Sequence, residues 1–186
     1  MNNKHRHFAT LITVVFFLIL AVASSDDSKS SAGSTEKSET AKNEKRPNWT
    51  YSEDADKMEG TKRYFASCVS TNEIEFEFPY NGGSYFTLTV RNMGKGNEII
   101  LQVSKGQFMT SIMSSEKCKV KFDDEKPVNF TYNSAADGSH DIIFFENSQK
   151  FLNKLKTSKK IMIEAQFFNA GSKVIEFDVE GLTWDK

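Results

Sequence analysis

The chain has 186 residues, with 24 Lys plus Arg against 25 Asp plus Glu and a formal net charge of −1. This balance lacks the basic excess with which proteins contact phosphates, so no nucleic-acid partner is expected. Three histidines and two cysteines supply too few ligands for a zinc site, and we predict neither a metal nor a cofactor.

The N-terminal segment, residues 1–23, has the pattern of a secretory signal peptide. Lys4 and Arg6 precede an apolar run over residues 8–23, which ends in Ala21-Val22-Ala23 and so places small residues before a cleavage site. The run has 16 residues, fewer than the roughly 20 that span a bilayer comfortably. The sequence predicts export, to the periplasm or the medium. The alternative is an uncleaved segment that tethers the protein to a membrane through residues 8–23.

Residues 24–48 contain polar and small side chains and no large apolar one. Such a segment cannot bury enough surface to offset the entropy of ordering it, so we predict a disordered polar tether. The remaining residues, 49–186, fall within the usual size of one domain. The exported part, residues 24–186, has 22 basic and 25 acidic residues and a net charge of −3.

Strict alternation of apolar and charged side chains runs through this domain. In residues 117–122, lysines alternate with Cys118, Val120 and Phe122, the pattern of a strand with one buried and one solvated face. Residues 73–78 and 175–179 alternate in the same way. Further strands are predicted from β-branched and aromatic content at residues 63–70, 85–91, 98–104, 128–132, 141–145 and 160–168.

One segment, residues 147–156, instead places Phe151 and Leu155 four residues apart among lysines, which predicts a short amphipathic helix beginning near Asn147 or Ser148. Many short strands and one helix predict an all-β fold, an antiparallel β-sandwich.

The two cysteines, Cys68 and Cys118, are a candidate disulfide in an exported protein. Closing a loop of this length would stabilise the fold by about 4 kcal/mol. The alternative is two buried free thiols, because cysteine is also a common small core residue.

Residues that could carry catalysis are few. His140 lies in Asp137-Gly138-Ser139-His140-Asp141, whose composition is typical of a turn that leads into a strand. Asp123 and Asp124 directly follow a predicted strand and are interpreted as a charged turn. The chain contains no nucleophile-elbow motif, and we predict a protein that is not an enzyme.

Aromatic side chains could alternatively form a surface on which sugars stack, which would make the domain a glycan- or small-ligand-binding module. Trp49 and Trp184 stand at the two ends of the domain, where terminal strands commonly bury such residues. The other aromatic candidates are Tyr51, Tyr64, Tyr80, Tyr85 and Tyr132.

The order of several motifs resembles the bacterial type VI secretion-associated VasI family and its envelope relatives of unknown function. The motifs are an opening strand at Trp49–Met58, a strand ending in arginine at Leu88–Arg91, a strand ending in aspartate at Val120–Asp124, the helix motif Phe151–Leu155, and closing strands at Ile161–Glu164 and Phe177–Leu182. The resemblance implies a β-sandwich fold and an envelope location.

We therefore predict a non-enzymatic cell-envelope protein, an accessory or interaction domain whose partner is another envelope protein or a glycan. Arg91, Asp123, Asp124 and His140 are its candidate surface residues.

Overall fold

The structure, a computed structural model, describes residues 47–111 and 113–186. The predicted signal peptide lies outside the described residues, as does the predicted tether except for its last two residues. Eleven strands and one helix are assigned in the described part of the chain. They are β1 (Thr50–Ala55), β2 (Lys62–Val69), β3 (Ile74–Glu75), β4 (Gly83–Ser84), β5 (Phe86–Asn92), β6 (Asn97–Val103), β7 (Glu116–Phe122), β8 (Val128–Ser134), β9 (Ile142–Phe145), α1 (Ser148–Leu155), β10 (Lys160–Phe167) and β11 (Gly171–Asp178).

Nine of the strands form one sheet in the order β1-β2-β5-β6-β9-β8-β7-β10-β11, and β3 and β4 form a separate two-stranded sheet. Every pairing is antiparallel. The predicted all-β, antiparallel class with one short helix is thereby confirmed.

The large sheet curls so that distant strands face each other across the core. Phe86 on β5 and Phe167 on β10 are separated by four strands in the sheet order, yet their ring centroids lie 5.6 Å apart. Beyond the core, the N–H of Thr71, just after β2, donates to the carbonyl of Glu176 on β11 at 2.8 Å. The segment after β2, the second strand of the sheet, therefore meets the terminal strand β11.

The alternation in β7 has the predicted orientation, since Cys118, Val120 and Phe122 are buried. Helix α1 packs against the same interior through Phe151, whose ring centroid lies 4.8–5.4 Å from those of three phenylalanines on β7, β8 and β9, namely Phe122, Phe130 and Phe145. The predicted helix is thus confirmed, and Asn147 occupies its N-cap position without a side-chain capping hydrogen bond.

The predicted strand over residues 73–78 is correct only in part. Ile74 and Phe76 are buried as expected, but the strand comprises Ile74–Glu75 alone and Phe78 is 85% exposed. The short partner strand β4 has only two residues, so hydrogen-bonded pairing cannot extend further along this segment.

Across the described residues, no helix is long and apolar enough to cross a membrane.

Candidate functional site

Arg91 is held by its neighbours on the outer face of the sheet. Its Nε lies 2.6 Å from Oε2 of Glu98 on β6, and its guanidinium lies 5.3 Å from the ring centroid of Phe144 on β9. An ion pair and a cation–π contact together explain an arginine at this half-buried position.

The turn after β7 is built around Asp123. Its backbone has φ of 46°, and its Oδ1 accepts hydrogen bonds from the backbone N–H groups of Lys159 and Lys160, each at 2.9 Å. Asp123 thus joins β7 to the start of β10. Asp124 is exposed and lines a surface cleft beside this turn.

His140 lies in the loop before β9, where its Nδ1 is 2.6 Å from the hydroxyl of Thr110. It lines a different concavity, which it shares with Tyr80 and Lys105. No hydrogen bond or ion pair of the described residues links Arg91, the turn at Asp123 and His140 to one another. The structure therefore places the predicted surface residues in three separate settings.

Cys68 and Cys118 are free thiols in the structure and are both buried. They lie on β2 and β7, which are separated by four strands in the sheet order. Burial, with a smaller contribution from the charge of Asp178, raises the pKa of Cys68 to about 12. Burial also raises the pKa of Cys118 to about 12. Both residues serve as small apolar core residues here, and the candidate disulfide is not formed.

Of the aromatic side chains considered for sugar stacking, the two tryptophans are buried. Trp49 and Trp184 are 3% and 6% exposed, and their indole N–H groups donate to the carbonyl of Val179 and to Oδ1 of Asn97. Among the tyrosines, Tyr51 and Tyr85 are each 48% exposed. A stacking surface built on exposed tryptophan is thus absent from residues 47–111 and 113–186.

A cleft of about 400 Å³ lies on the outer face where β7, β10 and β11 run side by side. Its floor includes Met162, which is paired in register with Lys121 on β7 and Glu176 on β11. Lys160 and Asp124 also line it. Three lysines, Lys121, Lys159 and Lys160, line the cleft together with the carboxylates of Asp123, Asp124, Glu176 and Asp178, so the cleft has no excess of positive charge.

The two terminal strands of the large sheet differ in how their free edges are treated. The edge of β11 is covered by the segment after β2. The side chain of Asn72 accepts from the N–H of Glu176 and donates to the carbonyl of Val174, both at 2.9 Å. The N–H of Thr71 donates to the carbonyl of Glu176 at 2.8 Å. These contacts satisfy backbone groups that would otherwise be open to another strand.

No described strand pairs with the opposite edge, that of β1. The N–H of Asp56 donates to the carbonyl of Thr61 in the β1–β2 hairpin, and the N–H of Ser70 donates to the carbonyl of Phe86 beyond β2. Hydrogen-bonded positions alternate along antiparallel strands, so these two bonds set which β1 residues face away from β2. The outward-facing backbone groups belong to Tyr51, Glu53 and Ala55. None of them is in a hydrogen bond with the described residues outside the strand pairing.

A groove of about 210 Å³ lies beside β1. Its lining includes Tyr51 and Glu53 from β1, Tyr64 from β2, and Trp184 and Lys186 from the closing segment. The Tyr51 hydroxyl accepts a hydrogen bond from the N–H of Thr183 at 2.9 Å, which fixes this segment alongside the strand. The groove is therefore lined by aromatic rings together with one carboxylate and one ammonium group.

Sequence reasoning missed Asn72 and Glu53. Asn72 lies in a polar loop, where nothing marks its amide as a substitute for a strand. All six side chains of β1 are exposed, so the strand lacks the alternation that reveals a buried face, and the sequence pointed to it only through the family resemblance.

Within the described residues, the fold is all-β, and the edge of β11 is covered whereas that of β1 is not. Within the described ranges, no cluster of three or more His, Cys, Asp or Glu side chains could hold a metal ion. No family model, curated protein or solved structure matches the chain.

Proposed function

We propose that this is an exported, non-enzymatic interaction domain of the cell envelope, and that it binds another envelope protein by accepting a strand of that protein at β1. The observation that supports the proposal is the asymmetry of the sheet. One edge is covered by Thr71 and Asn72, whereas the outward backbone groups of β1 form no hydrogen bond with any described residue.

An open edge offers a row of N–H and C=O groups that an extended peptide satisfies when it adds to the sheet. Soluble proteins usually protect such edges because they also promote aggregation. This fold protects β11 with specific side-chain bonds and leaves β1 open, which is the arrangement expected when one edge is kept for a partner.

The experiment places a photo-crosslinking amino acid at Ser52 in the full chain, expressed in its native host, with Glu176 as the control position. Both residues are exposed, and Glu176 lies on β11, at the edge that Asn72 covers. An envelope protein should be captured from Ser52 and not from Glu176.

Two variants test whether capture depends on the backbone edge of β1. Glu53→Pro and Glu53→Thr are each introduced into the chain that carries the photo-crosslinking amino acid at position 52. Proline at position 53 removes an N–H that faces away from β2, so the β1–β2 pairing keeps its hydrogen bonds. Threonine removes the same carboxylate but keeps the N–H. Loss of capture with proline and retention with threonine supports the proposal. Capture that survives Glu53→Pro, or no capture at all, overturns it.

A further inference from the structure

We infer that the groove beside β1, lined by Tyr51, Glu53, Tyr64, Trp184 and Lys186, receives a lysine or arginine side chain of the strand that docks on that edge. This inference rests on the proposed function, because it assigns the partner's side chain at the same edge.

The position of the groove matches the geometry of strand addition. Glu53 on β1 is paired in register with Tyr64 on β2, and side chains of paired residues share one face of a sheet. A strand added outside β1 projects alternate side chains on that same face. One of these side chains therefore lies next to Glu53, at the groove. Main-chain bonds supply affinity in such complexes, and pockets for alternate side chains supply specificity.

The chemistry of the lining favours a cation. Glu53 forms no ion pair with any described residue, so its carboxylate is available. The ring of Tyr64 is half-buried and fixed against the core. An aromatic ring and a carboxylate side by side bind an ammonium or guanidinium group through cation–π and charge interactions. A volume of about 210 Å³ is below the range usual for whole small-molecule ligands and suits a single side chain.

The protein already places such a cation there. The ammonium of Lys186 lies 4.7 Å from the ring centroid of Tyr64 and 3.3 Å from Oδ1 of Asp185. Lys186 thus occupies the position of a partner's cation and competes with it. An incoming lysine or arginine would displace an exposed side chain, which costs little because Lys186 has only surface contacts.

The test uses two synthetic peptides that differ only in the presence of one ammonium group. One is Ac-Thr-Val-Lys-Val-Thr-NH₂, and the other carries norleucine, which lacks the ammonium, in place of lysine. Binding to the full ¹⁵N-labelled chain is followed by NMR, with the indole N–H of Trp184 as the reporter beside the groove. The lysine peptide should bind roughly 3- to 10-fold more tightly than the norleucine peptide.

Three variants assign this preference to the groove. Glu53→Gln removes the charge but keeps the backbone edge, and Tyr64→Leu keeps an apolar contact but removes the ring. In each of these two variants, the lysine and norleucine peptides should bind with nearly equal affinity. Lys186→Ala removes the competing cation and should tighten the lysine peptide more than the norleucine peptide.

The outcomes separate this inference from the proposed function. If both peptides bind equally and Glu53→Pro abolishes both, strand addition stands and the cation-binding groove is wrong. If neither peptide binds, or if binding survives Glu53→Pro, then docking at the edge fails and the inference fails with it.

Discussion

Asn72 pairs with the backbone of Glu176 as a neighbouring strand would. Its Oδ1 accepts the N–H of Glu176 at 2.9 Å, and its Nδ2 donates to the carbonyl of Val174 at 2.9 Å. A single side-chain amide therefore supplies the donor and the acceptor that an edge strand otherwise exposes. The bond also joins the segment after β2 to β11, so it closes the curl of the sheet.

Replacing this amide tests the sealing of the edge. Asn72→Ala removes both hydrogen bonds and should lower the free energy of unfolding by about 1–3 kcal/mol, measured by urea denaturation. It should also increase self-association in sedimentation velocity, because β11 becomes open to other chains. Asn81→Ala, in an exposed loop, is the matched control and should change neither quantity. Unchanged stability in Asn72→Ala would show that water replaces the amide at no cost.

Asp123 is predicted to be a structural residue rather than a reacting group. Asp123→Ala loses two hydrogen bonds to backbone N–H groups and places alanine at a φ of 46°, a left-handed conformation that alanine adopts poorly. The free energy of unfolding should fall by about 2–4 kcal/mol. Asp123→Asn keeps an acceptor oxygen and tolerates the same backbone conformation, so it should retain most of the stability. Equal losses in the two variants would contradict this role.

Stability should decrease in alkaline solution because the two thiols are buried. Cys68 and Cys118 have pKa values raised from 9.0 to about 12 in the folded protein. Between these values the unfolded chain releases protons that the folded chain keeps, so the free energy of unfolding falls as pH rises above about 9. Each thiol should contribute a slope of about 1.4 kcal/mol per pH unit.

The measurement is urea denaturation at several pH values between 8 and 11, under reducing conditions. Cys118→Ala should reduce the alkaline slope relative to the unmodified chain, and so should Cys68→Ala. Burial also raises the pKa of Tyr132, with smaller contributions from Cys118 and Glu116, so part of the slope above pH 10 should persist in both cysteine variants. A slope that is identical in all three proteins would show that these thiols do not titrate as their burial requires.

How much could be read from the sequence depends on burial. The strand β7 was predicted correctly because lysines and core residues alternate there, and each face of the strand has one environment. Strand β11 follows the same rule, because the alternating residues 175–179 place Ile175 and Phe177 in the core as predicted. Local pattern determines local structure where one face is packed.

The candidate site could not be predicted in the same way, because it depends on contacts between distant segments. Asn72 meets β11 from about one hundred residues away in sequence, and Lys186 meets Tyr64 across the whole domain. For Phe78 the local pattern itself gave a wrong prediction. Its place in an alternating run suggested burial, but the pairing ends at Glu75 and the side chain is exposed. Periodicity reports the faces of a strand and carries no information about where its pairing stops.

Phe151 is predicted to be the residue through which α1 stabilises the fold. Its side chain is fully buried and its ring lies within 5.4 Å, centroid to centroid, of three rings from three strands. Truncation to alanine removes a large buried side chain and leaves a cavity among rings that cannot all move inward. Phe151→Ala should therefore lower the free energy of unfolding by about 3–5 kcal/mol.

The matched control is Asn153→Ala on the exposed side of the same helix, which should change the free energy of unfolding by less than about 0.5 kcal/mol. Comparison by urea denaturation separates the packing of α1 from its intrinsic helix propensity, since both variants introduce alanine, a strong helix former. If Asn153→Ala and Phe151→Ala had equal effects, the helix would be stabilised locally rather than by the aromatic cluster. A large loss confined to Phe151→Ala would show instead that β7, β8 and β9 need the helix in order to bury their inward faces.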